Sequence, residues 1–555
     1  MLTIVNMIVT LIHTVKIYGV VMSIRIGPEQ ELGVEEIHTL GLPETTVELT
    51  DGAKDAIEQS YERVGEWLNE GRVIYGITTG VGELIHNIVP PSQSREMSRN
   101  ICHSHAVGVG DRLDEAMVRR MMGVRLHTFA QGHSGVQPAL TELLQELINR
   151  NITPVVPEQG TVSASGDLNP LAYIGTVLTG EGDVRYEGET MEAAEAFDRE
   201  GLESITLEPK EGLSCMNGTT ATTPMSAIAL REAKHLLKTS FLATALSMEV
   251  LHASAEPFDP EVLAVRPHPG MLRVGTILRD ILEDSDLIRH KEVVQVEFDD
   301  LLDEEESVHT EAFRQDSYSI RGIPQIIGPT LESYHFCKDT VETELNSVDD
   351  NPVVFPEEDQ CLHSAQFHAQ SLAHSMDLLK MSIAEVGVIC ERQAARLLDP
   401  AVSKGLPPFL ASDELSCGYE GAQYVAGSMI AENRVLASPV SIQSLSLNGQ
   451  FQDVVSMGLI AARQARTIID HVRRVLDFEL MAAAQAAETR GPDQLSSVSR
   501  TVYETIREEI PPVTEDRQLT GDFERMETLT KGGELVQAVE TEHGAEQLAL
   551  GLPEA

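Results

Sequence analysis

The spacing of apolar residues in the second half of the chain predicts long helices. Between residues 372 and 390 apolar side chains recur every three or four positions, which makes a seam of about 3.5 residues per turn. Two further stretches, 224–256 and 453–488, are rich in Ala, Leu, Met and Arg and contain no interior proline. Each therefore predicts a helix long enough to cross a large bundle. The residues of the seam are Leu372, Met376, Leu379, Ile383, Val386 and Cys390.

In the first half of the chain helical patterns alternate with turns and loops. The glycine-dense segment 76–82 (GITTGVG) cannot hold a helix. The loop-rich segment 156–170 (VPEQGTVSASGDLNP) is predicted to lead into a helix at Leu171. The predicted fold class is mainly α, with a mixed N-terminal region and a central bundle of long helices. The predicted divisions are a leader at 1–22, an N-terminal domain at 23–222, the bundle at 223–490 and an acidic helical cap at 491–555.

Residues 1–21 are apolar enough to resemble a signal peptide or a membrane anchor. His13 and Lys16 interrupt the apolar run, however, and no basic segment precedes it. No small-residue cleavage site follows, and Met22 opens a polar stretch that looks like a natural start. These features favour an over-extended start or a disordered leader over a real anchor.

The charge balance narrows the range of partners. With 41 basic and 87 acidic residues the net charge is −46, and such a surface repels the phosphates of nucleic acids and anionic lipids. The acidic residues are spread along the chain, with the densest run at 299–306 (DDLLDEEE). This distribution is typical of a halophilic protein from an acidic proteome, because concentrated salt screens the self-repulsion that would otherwise open the fold.

Cysteine and histidine positions give no support for a metal site. The six cysteines include no CxxC pair, so structural zinc and thioredoxin-like chemistry have no sequence support. His103 and His105 lack further ligands at a metal-binding spacing. We therefore expect no metal ion, and a cytoplasmic location in which the thiols stay free.

The tripeptide Ala164-Ser165-Gly166 can build an electrophile from its own backbone. The Gly166 amide nitrogen, which has no side chain beside it, can attack the carbonyl carbon of Ala164 if the loop is bent tightly. Loss of two waters, the second taking the Ser165 hydroxyl, leaves a 4-methylidene-imidazol-5-one. Such an electrophile is stronger than any side chain and normally requires a cofactor. Taken alone, the tripeptide favours the ordinary interpretation of a serine turn that caps the following helix.

Seven other segments accompany SASGDLNPLA (163–172). Together they resemble, in order and over roughly residues 25–520, the histidine/phenylalanine/tyrosine ammonia-lyase family. The resemblance implies the helical fold of ammonia-lyases and fumarases, an autocatalytic methylidene-imidazolone with no external cofactor, and a homotetramer whose active sites draw residues from three chains. The seven segments are YGITTGVGEL (75–84), SHAVGVG (104–110), MNGTT (216–220), QDSYSIRGIPQIIG (315–328), ELNSVDDNPVVF (344–355), QFHAQ (366–370) and QDVVSMGLIAAR (452–463).

The resemblance also implies a role for each matching residue. Tyr75 is the base that removes the β-proton of the substrate, and Arg321 grips its carboxylate. The implied catalytic residues are Ala164, Ser165, Gly166, Tyr75 and Tyr318, and the implied substrate-binding residues are His105, Asn217, Gln315, Arg321, Phe367 and Gln452. Two departures from the family pattern lie in the loop after Tyr75, where Thr78 replaces the usual Asn and Val81 the usual Phe.

Two positions give opposite indications of the substrate. Ser104-His105 resembles histidine lyases, and an imidazole can hydrogen-bond another imidazole or a phenol but not a bare phenyl ring. Gln452 stands where histidine lyases usually carry Glu, and resembles the phenylalanine and tyrosine branches. We expect an ammonia-lyase that converts L-histidine to trans-urocanate, with a tyrosine ammonia-lyase or tyrosine 2,3-aminomutase as the alternative. A non-enzymatic alternative is an inactive helical scaffold.

Overall fold

The computed structural model of the chain describes residues 22–290 and 315–553. The predictions for the leader at residues 1–21 and for the acidic run 299–306 fall outside the described residues. The described chain divides into two compact units. The first unit holds the described residues up to 228 together with 338–376 and 439–463, and the second unit holds the rest.

Within the described ranges the chain is mainly helical, as the sequence predicts. The helices are, in chain order, α1 (Val34–Leu40), α2 (Asp51–Glu70), α3 (Pro91–His105), α4 (Glu115–Ala130), α5 (Pro138–Asn149), α6 (Leu168–Leu178), α7 (Ala193–Glu200), α8 (Glu211–Met216), α9 (Thr222–Val250), α10 (Pro260–Ala264), α11 (Pro269–Leu282), α12 (Tyr318–Arg321), α13 (Ile323–Leu345), α14 (Gln370–Leu398), α15 (Glu420–Leu436), α16 (Gly458–Arg490), α17 (Ser497–Glu509), α18 (Thr520–Lys531) and α19 (Glu534–His543). None of these described helices is both long enough and apolar enough to cross a membrane.

All the described strands belong to the first unit and form four small sheets. The strands are β1 (Ser23–Ile26), β2 (Thr46–Leu49), β3 (Val109–Arg112), β4 (Thr153–Pro154), β5 (Pro157–Gln159), β6 (Asp183–Tyr186), β7 (Glu189–Glu192), β8 (Val353–Phe355) and β9 (Gln360–Leu362). Strands β1 and β2 pair in parallel. The pairs β3–β5 and β8–β9 and the sheet β4–β6–β7 are antiparallel.

The predicted long helices are present, with shifted ends. The apolar seam lies in α14, and all six of its residues are at most 1% exposed, as expected for a helix packed in a bundle. The stretch 224–256 corresponds to α9, which ends earlier, at Val250, and the stretch 453–488 corresponds to α16, which begins later, at Gly458. Helix α6 begins at Leu168 and not at the predicted Leu171, because Pro170 is tolerated in the first turn, where its missing N–H has no intrahelical partner.

Three helices of the first unit pack against one another and support the candidate site. These are α3, α6 and α8. A Cβ added to Gly175 of α6 would lie 2.7 Å from the Cys102 sulfur on α3, so glycine allows the two helices to approach closely. Because α3 carries His105 and α6 follows the Ala164-Ser165-Gly166 tripeptide directly, this packing places two of the sequence motifs side by side.

Candidate active site

The Ala-Ser-Gly loop (residues 160–167) is held firmly on its N-terminal side. Ser163 has left-handed backbone, with φ of 51°. Its carbonyl oxygen accepts a hydrogen bond from the Ser456 hydroxyl at 3.0 Å, and its own hydroxyl accepts one from the Leu459 N–H at 3.1 Å. Ala164 lies in a small cluster of buried apolar side chains. The chain therefore enters the tripeptide from a fixed, buried point.

The C-terminal side of the loop lies against a second turn. Gly166 and Gly218 form a parallel bridge, and the Asp167 N–H donates to the Gly218 carbonyl oxygen at 2.6 Å. A Cβ on Gly166 would lie 2.0 Å from that oxygen, and its φ is +70°. Only glycine combines this backbone conformation with so close an approach.

Asp167 ties the loop to the start of α9. Its carboxylate is fully buried and accepts hydrogen bonds from the Thr222 N–H at 2.7 Å and from the hydroxyls of Thr222 at 2.8 Å and Ser163 at 2.9 Å. Burial raises the pKa of this carboxyl to about 6, although the hydrogen bonds from Thr222 and Ser163 oppose the rise. The helix that follows the tripeptide, α6, has Asp167 as its N-cap residue and no side-chain hydrogen bond at that cap, so the structure shows no serine cap there.

Ser165 is contacted by two of the residues that the resemblance singles out. Its hydroxyl oxygen accepts a hydrogen bond from Gln452 Nε2 at 2.8 Å. With the Asn217 amide in the orientation that satisfies both of its polar atoms, its nitrogen donates to the Ser165 carbonyl oxygen at 3.1 Å and its oxygen accepts from the Asn351 N–H at 3.1 Å. The hydroxyl oxygen and the carbonyl oxygen of Ser165 therefore each accept a hydrogen bond from a side chain.

Tyr75 opens the loop of residues 75–84, which matches the family's lid loop by resemblance and is called the lid loop below. Its hydroxyl accepts a hydrogen bond from the Gly82 N–H at 3.0 Å. Burial raises the pKa of the phenol, and the Gly82 contact opposes this rise. A donated hydrogen bond stabilises phenolate, so the geometry suits a base, but burial alone favours the neutral phenol.

Thr78 and Val81, the two departures in the lid loop, have different surroundings. The buried Thr78 hydroxyl donates to the Arg72 carbonyl oxygen at 2.9 Å and accepts from the Ile74 N–H at 2.8 Å. It therefore closes the turn that leads into Tyr75 with backbone hydrogen bonds, a task within reach of any short polar side chain. Val81 lines the cavity described below.

The orientation of the His105 ring defines its hydrogen-bonding character. Its Nδ1 lies 2.9 Å from the Ile101 carbonyl oxygen and 3.0 Å from the Ser104 hydroxyl. Because a carbonyl oxygen only accepts, we assign the ring proton to Nδ1, which makes Nε2 the acceptor of the neutral ring. A ligand that meets His105 at Nε2 must then bring a donor, such as an imidazole N–H or a phenol O–H.

These residues surround a cavity of about 1280 Å³ in the first unit, a volume larger than an aromatic amino acid requires. The described residues that line it include Glu83 and Glu96 but no lysine or arginine. Eight of the eleven predicted site residues meet here, namely Tyr75, His105, Ala164, Ser165, Gly166, Asn217, Phe367 and Gln452. Phe367 is half-buried just before α14. The cavity can thus hold an aromatic ring, but its described lining contains no fixed positive charge.

The structure does not bring the other three predicted residues into the cavity lining. Gln315, Tyr318 and Arg321 belong to the second unit. Tyr318 is 73% exposed, and the Arg321 guanidinium carbon lies 4.9 Å from the centre of its ring. The Arg321 Nε is buried and has no hydrogen-bond partner within the described chain.

Two of the lining residues that the sequence interpretation did not name contact predicted site residues. Asn351 orients Asn217 and lies within the quoted segment 344–355, so a signal for it existed. The His363 ring stands edge-on to Tyr75, with ring centroids 6.1 Å apart. His363 lies between two of the matching segments, and nothing in the sequence marks it. Across the described residues no group of three or more His, Cys, Asp or Glu side chains could hold a metal ion.

The chain matches the family model for aromatic amino acid lyase over residues 32–508, and so belongs to the aromatic amino acid lyase family. It is a carbon–nitrogen lyase. The predicted family and helical fold are therefore confirmed.

Individual relatives differ in substrate and in outcome. The chain is 38% identical over 488 residues to a tyrosine 2,3-aminomutase from Myxococcus sp. (strain Mx-B0), covering 87% of this chain and 93% of that protein. It is 36% identical over 495 residues to a histidine ammonia-lyase from Natranaerobius thermophilus, covering 89% and 94%. The crystal structure of a tyrosine aminomutase from Streptomyces globisporus matches with a TM-score of 0.86 at 33% identity, covering 94% and 99%.

Proposed function

We propose that this chain is an ammonia-lyase that eliminates ammonia from L-histidine to give trans-urocanate. The observation that carries the proposal is the setting of Ser165. The Ser165 hydroxyl oxygen accepts a hydrogen bond from the Gln452 amide nitrogen at 2.8 Å. The loop that carries Ser165 is held on both sides, and it lines the same cavity as Tyr75 and His105. Reactive tripeptide, base and ring-recognising residue thus meet in one place.

The Ala-Ser-Gly loop fits a methylidene-imidazolone made from its own residues. The Gly166 amide nitrogen has no side chain beside it, and a Cβ at this position would clash with the neighbouring turn. Asn217 holds the Ser165 carbonyl oxygen, which the ring would keep. Once formed, this group supplies an electrophile that draws the substrate amine and makes its nitrogen a better leaving group. No external cofactor is then required.

Tyr75 is the residue that we propose takes the β-proton. A phenol works as a base only when a positive charge or hydrogen bonds stabilise its anion. The Gly82 N–H supplies one hydrogen bond, while burial raises the phenol pKa. Because no lysine or arginine lies among the described lining residues, the missing positive charge must come from elsewhere.

Arg321 of a neighbouring copy is the proposed source of that charge, in a homotetramer with shared active sites. The family resemblance implies such sites. The buried Nε of Arg321, which has no hydrogen-bond partner among the described residues, and the exposed ring of Tyr318 support them. A guanidinium binds a carboxylate through two parallel hydrogen bonds. Arg321 would hold the substrate carboxylate, while Gln315 and Tyr318 contact the carboxylate and the amine.

Histidine is proposed as the substrate because of His105. With its proton fixed on Nδ1, His105 offers an acceptor to the N–H of a substrate imidazole. A phenyl ring would leave this acceptor unpaired at a cost. By resemblance, Gln452 argues against histidine as the substrate. Its amide nitrogen, however, donates a hydrogen bond to the Ser165 hydroxyl. This contact uses the hydroxyl of the unreacted Ser165, so Gln452 has a role in the loop in addition to any contact with the substrate ring.

A tyrosine ammonia-lyase or tyrosine 2,3-aminomutase is the second candidate. A phenol O–H can donate to His105 as well as an imidazole N–H can, and Gln452 resembles the tyrosine branch. An aminomutase would return ammonia to the β-carbon if the lid loop stayed closed over the product. We also propose a cytoplasmic location, supported by free cysteines throughout the described residues.

Ultraviolet assays with L-histidine, L-tyrosine and L-phenylalanine in high salt test the substrate, since urocanate, coumarate and cinnamate absorb at different wavelengths. Histidine is expected to react fastest. A faster reaction with tyrosine would favour the second candidate, and chromatography for β-tyrosine would then distinguish mutase from lyase. Phenylalanine as the best substrate would overturn the argument from His105. Intact-protein mass spectrometry tests the prosthetic group, because a chain that keeps both waters cannot contain the ring.

A further inference from the structure

Two consecutive aspartates lie behind the Ala-Ser-Gly loop, and each pairs with a different buried cation. Arg125 Nη1 lies 3.1 Å from Asp349 Oδ1, and Lys210 Nζ lies 2.8 Å from Asp350 Oδ2. All four side chains are at most 4% exposed. Removing charges from water costs free energy that pairing only partly returns. Stability alone is therefore a weak explanation for two such pairs side by side.

The Arg125–Asp349 pair holds the turn 217–219, which lies against the loop. Asp349 accepts hydrogen bonds from both the backbone N–H and the hydroxyl of Thr219, the latter at 3.0 Å. Arg125 Nη2 donates to the Asn217 carbonyl oxygen at 2.5 Å. The two charged side chains thus hydrogen-bond the first and last residues of the turn, Asn217 and Thr219.

The backbone of Gly218, between Asn217 and Thr219, packs closely against both charged side chains. A Cβ on Gly218 would lie 2.6 Å from Asp349 Oδ2 and 2.7 Å from Arg125 Nη1. On the opposite side of the turn, the Gly218 carbonyl oxygen accepts a hydrogen bond from the Asp167 N–H at 2.6 Å. A Cβ on Gly166 would lie 2.0 Å from the same oxygen. Ion pair, turn and loop are therefore three layers in direct contact.

From this stacking we propose that Arg125 and Asp349 are positioning residues for ring closure, which keep the Gly218 turn pressed against Gly166 so that the loop stays bent. The inference rests on the proposed function. If the Gly218 turn were held by flexible groups, it would move away as the loop relaxed toward an extended form. A buried, hydrogen-bonded ion pair resists such movement of the turn. Orientation of this kind has a large effect on rate, because a misplacement of about 1 Å can slow a reaction about a hundredfold.

The reaction that the pair assists needs no oxidant or reductant. The Gly166 nitrogen forms a bond to the carbonyl carbon of Ala164, and the Ala164 oxygen leaves as water with one hydrogen from the Gly166 amide and one from the Ser165 amide. A double bond then joins the former Ala164 carbonyl carbon to the Ser165 nitrogen. The Ser165 hydroxyl leaves as a second water with the Ser165 α-hydrogen, which creates the methylidene carbon.

The neighbouring pair provides a matched control. Lys210 donates to the Ser214 hydroxyl at 2.7 Å as well as to Asp350. Asp350→Asn and Asp349→Asn therefore each leave one buried cation without its carboxylate, but only Asp349 accepts from Thr219. The two variants should lose similar stability, as followed by thermal unfolding, and differ in ring closure.

The test follows the loss of two waters by intact-protein mass spectrometry in the soluble full chain after a short induction. We expect the wild-type chain and Asp350→Asn to lose both waters at similar rates, and Asp349→Asn to do so at least about tenfold more slowly. Equal rates for the two aspartate variants would overturn the inference while leaving the proposed function intact. A wild-type chain that keeps both waters would instead contradict the proposed function itself.

A second variant decides the matter if Asp349→Asn does not fold. Arg125→Lys keeps the positive charge, but a single ammonium cannot reproduce the planar fork that reaches Asp349 and the Asn217 carbonyl oxygen together. We expect soluble Arg125→Lys to lose its waters about tenfold more slowly than Asp350→Asn. Loss at the rate of Asp350→Asn would show that the pair only stabilises the fold.

Discussion

Gln452 bears on both the choice of substrate and the formation of the prosthetic group. Its amide nitrogen donates to the Ser165 hydroxyl at 2.8 Å, although the family resemblance places it beside the substrate ring. Both contacts can hold in turn, because the Ser165 hydroxyl departs when the ring matures and so releases the amide. A carboxylate at this position would pair with an imidazole N–H more strongly than an amide does.

Gln452→Glu is therefore expected to raise the ratio of kcat/KM for histidine over tyrosine by about tenfold, the effect of one charge-assisted hydrogen bond of about 1.4 kcal/mol. Ultraviolet assays of urocanate and coumarate formation measure the ratio. Gln450→Glu, an exposed change of the same charge two positions away, should leave it unaltered. An unchanged ratio in Gln452→Glu itself would mean that this residue does not face the substrate ring.

Helix α16 carries a carboxylate into the interior of the second unit. Glu479 is fully buried and accepts a hydrogen bond from the Ser247 hydroxyl at 2.8 Å. Burial raises its pKa to about 8, with the Ser247 contact opposing the rise. Because the folded-state pKa lies above the ordinary value of 4.5, this group favours folding fully below about pH 4.5, and the contribution is lost as the pH rises through about 8.

Glu479→Gln removes the ionisation and is expected to flatten this part of the pH dependence. Between pH 6 and pH 9 the wild-type free energy of unfolding should fall relative to the variant by roughly 1–3 kcal/mol. Thermal unfolding across that range measures the difference. Parallel curves for Glu479→Gln and the wild type would contradict the assignment.

At the scale of the whole molecule, shared active sites predict complementation. Tyr75→Phe removes the proposed base and Arg321→Ala the proposed carboxylate ligand, so each variant alone should lose most activity. If one site takes these residues from different chains, random mixed tetramers should recover about one quarter of the wild-type activity. Co-expression of the two variants with separate tags measures the recovery. No recovery in purified mixed tetramers would mean that both residues act from the same chain.

The charge of the whole chain predicts a dependence on salt. A net charge of −46 destabilises a compact chain through self-repulsion, which salt screens over a distance that shrinks from about 10 Å at 0.1 M to about 3 Å at 1 M. Raising KCl from 0.1 M to 2 M is expected to raise Tm by roughly 5 °C or more. Thermal unfolding over this range of KCl measures the effect, and a Tm that stays constant or falls would contradict the prediction.

Prediction from the sequence succeeded where the signal is local. The apolar seam of α14 could be recognised from its spacing, because a helix brings residues three and four apart to one face whatever surrounds it. The chemistry of Ala164-Ser165-Gly166 depends on residue type in the same way. Helix ends were less predictable, since Pro170 suggests a helix boundary in the sequence but is tolerated within the first turn of α6.

The sequence by itself determined the helical architecture, because periodicity is a property of neighbouring positions, and the family, because eight short segments each resemble the family's motifs. It also predicted the tripeptide Ala164-Ser165-Gly166 as the origin of a prosthetic group. Only the tertiary structure decided what surrounds that tripeptide. Gln452 is 287 positions from Ser165, and Arg125 is 224 positions from Asp349, so neither contact leaves a local pattern. Such contacts form only after folding has closed long loops and removed the groups from water, and the conformational entropy and desolvation involved depend on the whole path of the chain.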